Sequence, residues 1–596
     1  MKYIRKVLLL FIITVMITIL SSCNNKKVNN NSFYYTSYKT SARYSYDVFY
    51  TDDYFNKSAS LVDRKLATAS SCLALAGGAS PEGMDYKNAS GHIKYFFNLL
   101  GFNTIKANNY YDKVPTKDSF GVCVAKREID DYTLIGIGVR GYGYLREWAS
   151  NFKLGNDLEF AEGFYDASNI YLDTLKDYIL TNNIKGKIKI WTAGYSRGGA
   201  VVNLSIGRID DGLKNNINIL NEDVSFTKDD IYAYCFEAPR GRIATVEDGV
   251  IKEKNNDYSN IQNIINVNDL VTYVAPNGLG FIRYGIDYYL PDIITSLDYI
   301  NFTNDLKNAY SNMPNKDAIG SYDLDTFVTI DQTKENYTLG LFLMNFIDEI
   351  SNSIHLRENY YNNFEGALTG LAEALFSTDS FKEIIIDFGI NLGKRLILDD
   401  PTEILIKDAL YNRKRFFSDL KPILDEALDR SQKLDISVDE IVNLVKELVP
   451  IIIDVLSSSD NYSIIHTLLN KSNLSLLMRG HIPELLLAAM TSMDSNYGYN
   501  EKSLTTSYYK LMVSINSNIV IKNGNDIYYS DSINRFAKKD DTDYKIIYLP
   551  CNDYEIISYS ESDILLYEES GKYLSPKLIL DTSLNENEKL NIKGGN

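Results

Sequence analysis

The segment Gly194-Tyr195-Ser196-Arg197-Gly198 constrains this chain more than any other. The β-rich run 187–193 precedes it, and residues 198–209 follow with helical spacing. A Gly-x-Ser-x-Gly run between a strand and a helix is the nucleophile-elbow pattern. The serine of such a turn takes unfavourable dihedral angles. Side chains two residues to either side would collide, which accounts for Gly194 and Gly198. Gly199 and Ala200 then let the helix pack closely on its strand. The turn presents the Ser196 hydroxyl at the carboxyl edge of a sheet. The amide of Arg197 and the helix N-terminus face any oxyanion that develops there. Outside this setting the five-residue pattern is common, and it also fits an ordinary tight turn.

The neighbouring patterns place that turn in an α/β layer structure. Residues 61–77, 92–100, 159–180 and 198–209 read as helices. Residues 121–126, 132–139, 187–193, 231–236 and 261–267 read as strands, each a short β-rich run bounded by polar residues or Gly. Their alternation predicts a mostly parallel sheet covered by helices on both faces. From about residue 300 to 475 the pattern turns helical, with a capping box at Ser437 and Glu440. A further helix is expected over 478–493, with Pro483 near its first turn. From about 505 the period becomes two, with Asn-Gly and Ser-Gly at the breaks. This predicts a C-terminal all-β module, a sandwich.

The amino terminus reads as an address. Lys2, Arg5 and Lys6 precede an apolar run over 7–19 that is too short to span a bilayer comfortably, and small residues follow. Residues 24–40 are rich in Asn, Lys, Ser and Tyr and read as a solvated tether. No later run is long and apolar enough to span.

The length of 596 residues corresponds to about four domains' worth of chain as a soft prior. With 61 Lys and Arg against 78 Asp and Glu, the net charge of −17 argues against a nucleic-acid partner, which needs a basic face. Five cysteines without close pairs exclude a disulfide scaffold and zinc-ribbon spacing. Cys72, Cys123 and Cys235 lie in apolar runs and read as buried thiols. The acidic stretch 540–543 lacks the spaced Gly and terminal Glu of a calcium loop. No metal site and no dinucleotide or Walker-type glycine loop is expected.

Several blocks, in order, resemble the class 3 lipase family, the fungal triglyceride-lipase-like α/β hydrolases, and its bacterial relatives. They are Leu134-Ile135-Gly136-Ile137-Gly138-Val139-Arg140-Gly141, then Glu147-Trp148-Ala149-Ser150-Asn151-Phe152, then Glu162-Gly163-Phe164. After the elbow come Cys235-Phe236-Glu237-Ala238-Pro239-Arg240 and Asn266-Val267-Asn268-Asp269-Leu270-Val271. The ending Leu20-Ser21-Ser22-Cys23 likewise resembles a bacterial lipobox, in which the cysteine is diacylated and becomes the first mature residue. Buried acyl methylenes contribute ~0.8 kcal/mol each to such an anchor.

The resemblance implies an α/β-hydrolase core over 58–300, with its acid at Asp269. That residue also follows a β-rich run, at the end where open α/β sheets place their sites. Glu237 is the rival, at another strand end, where relatives usually carry a small residue. The first oxyanion donor maps to Tyr142, where the family usually has Ser or Thr. Arg197 replaces the usual aliphatic residue, leaving its backbone amide unaffected.

The histidine is chosen among four. His92 precedes the elbow and lies in an expected helix, against the chain order Ser–Asp–His. His466 lies in an apolar helical run. His355 reads as mid-helix, poorly placed to reach a sheet edge, and stands as the alternative base. His481 follows Gly480 and precedes the helix that Pro483 opens, a loop-to-helix junction. Its surroundings resemble the His-x-Pro-Glu ending of bacterial relatives. Taking His481 makes 301–475 a helical insertion, a lid in hydrolases of this fold, and 476–500 the end of the core. Residues 1–22 are then the signal, 23–57 the tether and 505–596 the β module.

The implied protein is an extracellular, membrane-anchored serine ester hydrolase, a lipase or carboxylesterase. It would act on a lipid or ester substrate through Ser196, Asp269 and His481, without a cofactor. Two alternatives keep the fold: a catalytically inactive surface binding module, and an acyltransferase with the same three residues.

Overall fold

The computed structural model describes residues 29–290 apart from 37–42, 79–88, 111–119, 130, 143–149, 156–158 and short gaps between 245 and 278. It also describes residues 365–369, most of 480–490 and most of 508–594. The signal segment with Cys23, His355, His466 and all of the expected insertion except 365–369 lie outside the described residues. Among the described residues no helix is long and apolar enough to cross a membrane.

Two strands, β1 (Asn29–Thr36) and β2 (Arg43–Tyr50), pair antiparallel. The tether expected over 23–57 includes both strands, and the structure corrects it there. Phe33, Val48 and Tyr50 are buried in a core shared with Trp191, so one apolar side chain in two suffices to dock the hairpin. Helix α1 (Arg64–Gly77) follows, capped by the Asp63 side chain, which accepts from the amides of Lys65 and Leu66. Its Ala, Ser and Cys side chains let it lie close on the sheet. Helix α2 (Gly91–Leu99) buries His92, Ile93, Phe96 and Phe97 beside it.

Eight strands of the described residues make the main sheet: β3 (Asn103–Asn108), β4 (Val122–Ile129), β5 (Tyr132–Val139), β6 (Gly186–Tyr195), β7 (Ile231–Phe236), β8 (Ile261–Asn266) and β9 (Ile286–Leu290), with the short strand Val224–Ser225 beside the start of β6. Their order is β9-β8-β7-β6-β5-β4-β3. The run from β9 to β5 is parallel, while β4 and β3 are antiparallel. The sheet is therefore mixed, with its parallel part at the centre.

Strand β6 explains the layering. From Ile188 to Tyr195 every residue is buried, as a central parallel strand requires. Ile188 and Ile190 face a core that includes helices α3 (Glu162–Thr181) and α4 (Arg197–Lys214). Trp191, Ala193 and Tyr195 face the core of α1, α2 and the hairpin. Ile482, Leu486, Leu487 and Met490 join that second core, which fixes the segment after Gly480 to the same body. Cys72, Cys123 and Cys235 are buried free thiols, and burial pushes Cys72 up to about 12.

From residue 508 the chain forms β10 (Tyr508–Ser514), β11 (Ile519–Asn523), β12 (Asp526–Tyr529), β13 (Phe536–Lys539), β14 (Thr542–Pro550), β15 (Tyr554–Ser558), β16 (Ser562–Glu569), β17 (Lys577–Leu584) and β18 (Lys589–Ile592). They make two antiparallel sheets, β13-β14-β10-β16-β17 and β12-β11-β15-β18. Leu511, Val513, Ile564 and Leu566 from one meet Ile519, Ile521 and Ile556 from the other in one apolar cluster. This is the two-sheet packing that the period-two pattern predicts.

One buried carboxyl on α4 links the fold to pH. Asp210 is 2% exposed, and Asn260 donates to it at 3.4 Å. Burial raises it from 3.8 to about 7, against the lowering effects of the Asn260 hydrogen bond and Lys228. The native chain therefore keeps this proton where the unfolded chain has lost it. The associated stability is complete below the unfolded value and declines as pH rises toward 7. Asp210→Asn is expected to stabilise the protein near pH 8 by at most roughly 4 kcal/mol and to change little near pH 4. Urea unfolding at the two pH values reads this out; an equal effect at both would contradict it.

Candidate active site

The adjacent parallel strands β6, β7 and β8 deliver the site at their carboxyl ends. Ser196 follows β6 directly and opens α4, with φ 57° and ψ −130°. A non-glycine residue there is strained. The turn is held by the Ser196 amide, which donates to the Phe236 carbonyl of β7 at 2.8 Å. Gly194 is required by space: a Cβ on it would lie 2.4 Å from the carbonyl carbon of Gly198. Gly141 is required for the same reason. A Cβ there would lie 1.7 Å from the Tyr195 carbonyl oxygen, so the Gly141–Tyr142 segment runs directly against the elbow.

His481 joins the serine from far along the chain. Its Nε2 is 2.8 Å from Ser196 Oγ, and its Nδ1 is 2.5 Å from Asp269 Oδ2. With the proton on Nδ1 donated to the carboxylate, Nε2 accepts from the serine hydroxyl. The ring packs on Tyr195, with centroids 4.8 Å apart. Asp269 is fully buried, and its Oδ1 accepts from the Val271 amide at 2.8 Å. Asn266 ties the two together. Its side chain donates to the carbonyl of Gly480, the residue before His481, at 3.1 Å. This residue's part in the site was missed from sequence, because an Asn ending a strand carries no distinguishing signal.

The Arg197 amide lies at the first position of α4, among the helix amides that have no intrahelical acceptor. Its guanidinium turns inward, donating to Ser150 Oγ and, at 3.4 Å, to the Gly163 carbonyl. Tyr142 directs its hydroxyl away from the serine, donating to the Leu75 carbonyl at 2.6 Å. Glu237, the rival acid, is buried at the end of β7 beside Asp269 and does not displace it from the imidazole. Among the described residues, no group of three or more His, Cys, Asp or Glu is arranged to hold a metal ion.

No protein-family model matches the chain, and no curated protein matches it. Solved structures of fungal lipases do match over part of it. The Rhizomucor miehei lipase propeptide complex is 16% identical over 44% of this chain and 76% of its own, with a TM-score of 0.26. Lipase II from Rhizopus niveus is 14% identical over 40% and 80%, with a TM-score of 0.24. Lipase from Rhizopus microsporus var. chinensis is 13% identical over 45% and 81%, with a TM-score of 0.26.

Proposed function

We propose that this chain is a serine-dependent hydrolase of carboxylic esters, a lipase or carboxylesterase, held on the outer face of a cell membrane by acylation of Cys23. The observation that carries the chemistry is the unbroken hydrogen-bonded series from Ser196 Oγ through both nitrogens of His481 to the buried Asp269. A buried carboxylate orients the imidazole and stabilises its charged form.

In the first half-reaction Ser196 Oγ attacks the ester carbonyl while His481 Nε2 takes its proton. The negative charge that develops on the carbonyl oxygen is met by the amides of Arg197 and Tyr142. Collapse expels the alcohol, which leaves with the proton from His481. Water then repeats the sequence on the acyl-serine and releases the acid. The strained backbone at Ser196 holds the hydroxyl at the strand end before substrate arrives.

A fluorophosphonate probe tests the serine directly. The wild-type chain is expected to label, and Ser196→Ala to lose all labelling while keeping its circular dichroism spectrum. A series of p-nitrophenyl esters then reports acyl-chain preference. Adding an alcohol acceptor separates hydrolysis from acyl transfer, since transfer yields a new ester at the expense of free acid. A wild-type protein that neither labels nor turns over any ester would support a binding module instead. For the anchor, Cys23→Ala is expected to stop incorporation of labelled palmitate and to release the protein from the membrane fraction. Continued incorporation would refute acylation at Cys23.

A further inference from the structure

We propose that Glu237 is a positioning residue of this site: a neutral carboxylic acid that donates its proton to Asp269 and braces the loop carrying His481. This rests on the serine-hydrolase reading above and adds a fourth member to its hydrogen-bonded series.

The geometry supports it at both ends of the side chain. Glu237 is 1% exposed, and its Oε2 accepts from the Asn266 amide at 2.9 Å. That leaves Oε1 to carry the proton toward the neighbouring carboxyl of Asp269. Two carboxyl groups share such a contact only when one is protonated. Asp269 already accepts on both of its oxygens, from the Val271 amide on Oδ1 and from His481 on Oδ2. Glu237 therefore holds the proton. Burial, then the charge of Asp269, pushes it well above the usual carboxylate range. Arg283 is the cation acting against this. Its guanidinium is committed elsewhere, to Asp287 at 3.0 Å, the Ala238 carbonyl at 2.6 Å and the Thr272 carbonyl at 2.5 Å.

The brace continues through Asn266. Glu237 fixes its backbone amide, and its side chain holds the Gly480 carbonyl. Glu237 also occupies the left-handed region at φ 50°, where glycine would be relaxed.

Two variants and two readouts test this. At neutral pH the wild-type infrared spectrum is expected to contain the carbonyl stretch of a protonated carboxylic acid that disappears in Glu237→Gln. Gln retains a donor for Asp269 and an acceptor for Asn266, so phosphonate labelling should stay within about threefold of wild type. Glu237→Gly removes both and is expected to slow labelling about 10- to 100-fold, as loss of an orienting partner does, while its circular dichroism spectrum at the assay temperature stays that of wild type. Matching infrared spectra for wild type and Glu237→Gln would overturn the proposal, as would full labelling of Glu237→Gly. The infrared result stands apart from catalysis. A wild-type protein that fails to label but shows the band would therefore sink the hydrolase reading and leave the neutral acid in place.

Discussion

Replacing His481 with alanine is expected to lower kcat for a short aryl ester by about 10³- to 10⁶-fold, leaving the fold intact. The imidazole contacts both Ser196 Oγ and Asp269. Its loss leaves the serine without a proton acceptor and the carboxylate without an imidazolium to stabilise. Residual activity would come from the amides of Arg197 and Tyr142, which do not depend on the ring. Because His481 is partly exposed and packs mainly on Tyr195, the substitution removes little core volume. Asp269→Asn is expected to be damaging for a different reason. It accepts from His481 less strongly and destabilises the tautomer that keeps Nε2 free, at a cost of about 10⁴ in kcat. His355→Ala should retain wild-type kcat. Turnover by His481→Ala at the wild-type rate, or its loss in His355→Ala alone, would show that the observed series is not the reacting one.

Much of this arrangement could be read before any coordinates, and the reasons differ by element. Strands β5 and β7 lie on the runs that predict them, because strands buried on both faces must be nearly continuous in apolar residues. The elbow was legible because steric demands leave few choices at Gly194 and Gly198. His481 stood out because a Gly before it and a Pro after it mark a junction where a side chain can leave a helix end. The hairpin of β1 and β2 was not legible. Its residues are mostly Asn, Ser and Tyr, and Phe33 is buried while the adjacent Tyr34 is 44% exposed, so composition resembles a linker. Strand β3 was missed because NTIKAN, at the sheet's edge, leaves no residue fully buried. Glu237 appeared as a competitor to Asp269, since a sequence shows two carboxyls and not which of them keeps its proton.

Trp191→Ala is expected to destabilise the protein by about 3–5 kcal/mol. Trp191 is fully buried on β6, five residues before Ser196. Its ring centroid lies 5.7–6.2 Å from those of Tyr50, Phe55, Phe96 and Phe102, and its Nε1 donates to Ser70 Oγ at 2.8 Å. Truncation leaves a cavity that these rings cannot close together, because each is anchored on a different element. It also strips the Ser70 hydroxyl of its donor. Leu180→Ala, 67% exposed at the end of α3, is the matched control and should stay within about 0.5 kcal/mol of wild type. The same residue tests the hairpin. If β2 is part of the core, Tyr50→Ala and Trp191→Ala share a cavity, and their double variant should depart from additivity by more than about 0.5 kcal/mol. A tether would give additive changes with Tyr50→Ala near zero. Because Ser196 directly follows the strand that carries Trp191, the cavity also loosens the base of the elbow. Phosphonate labelling of Trp191→Ala should therefore fall at temperatures well below its unfolding midpoint, whereas Leu180→Ala labels as wild type up to its own transition.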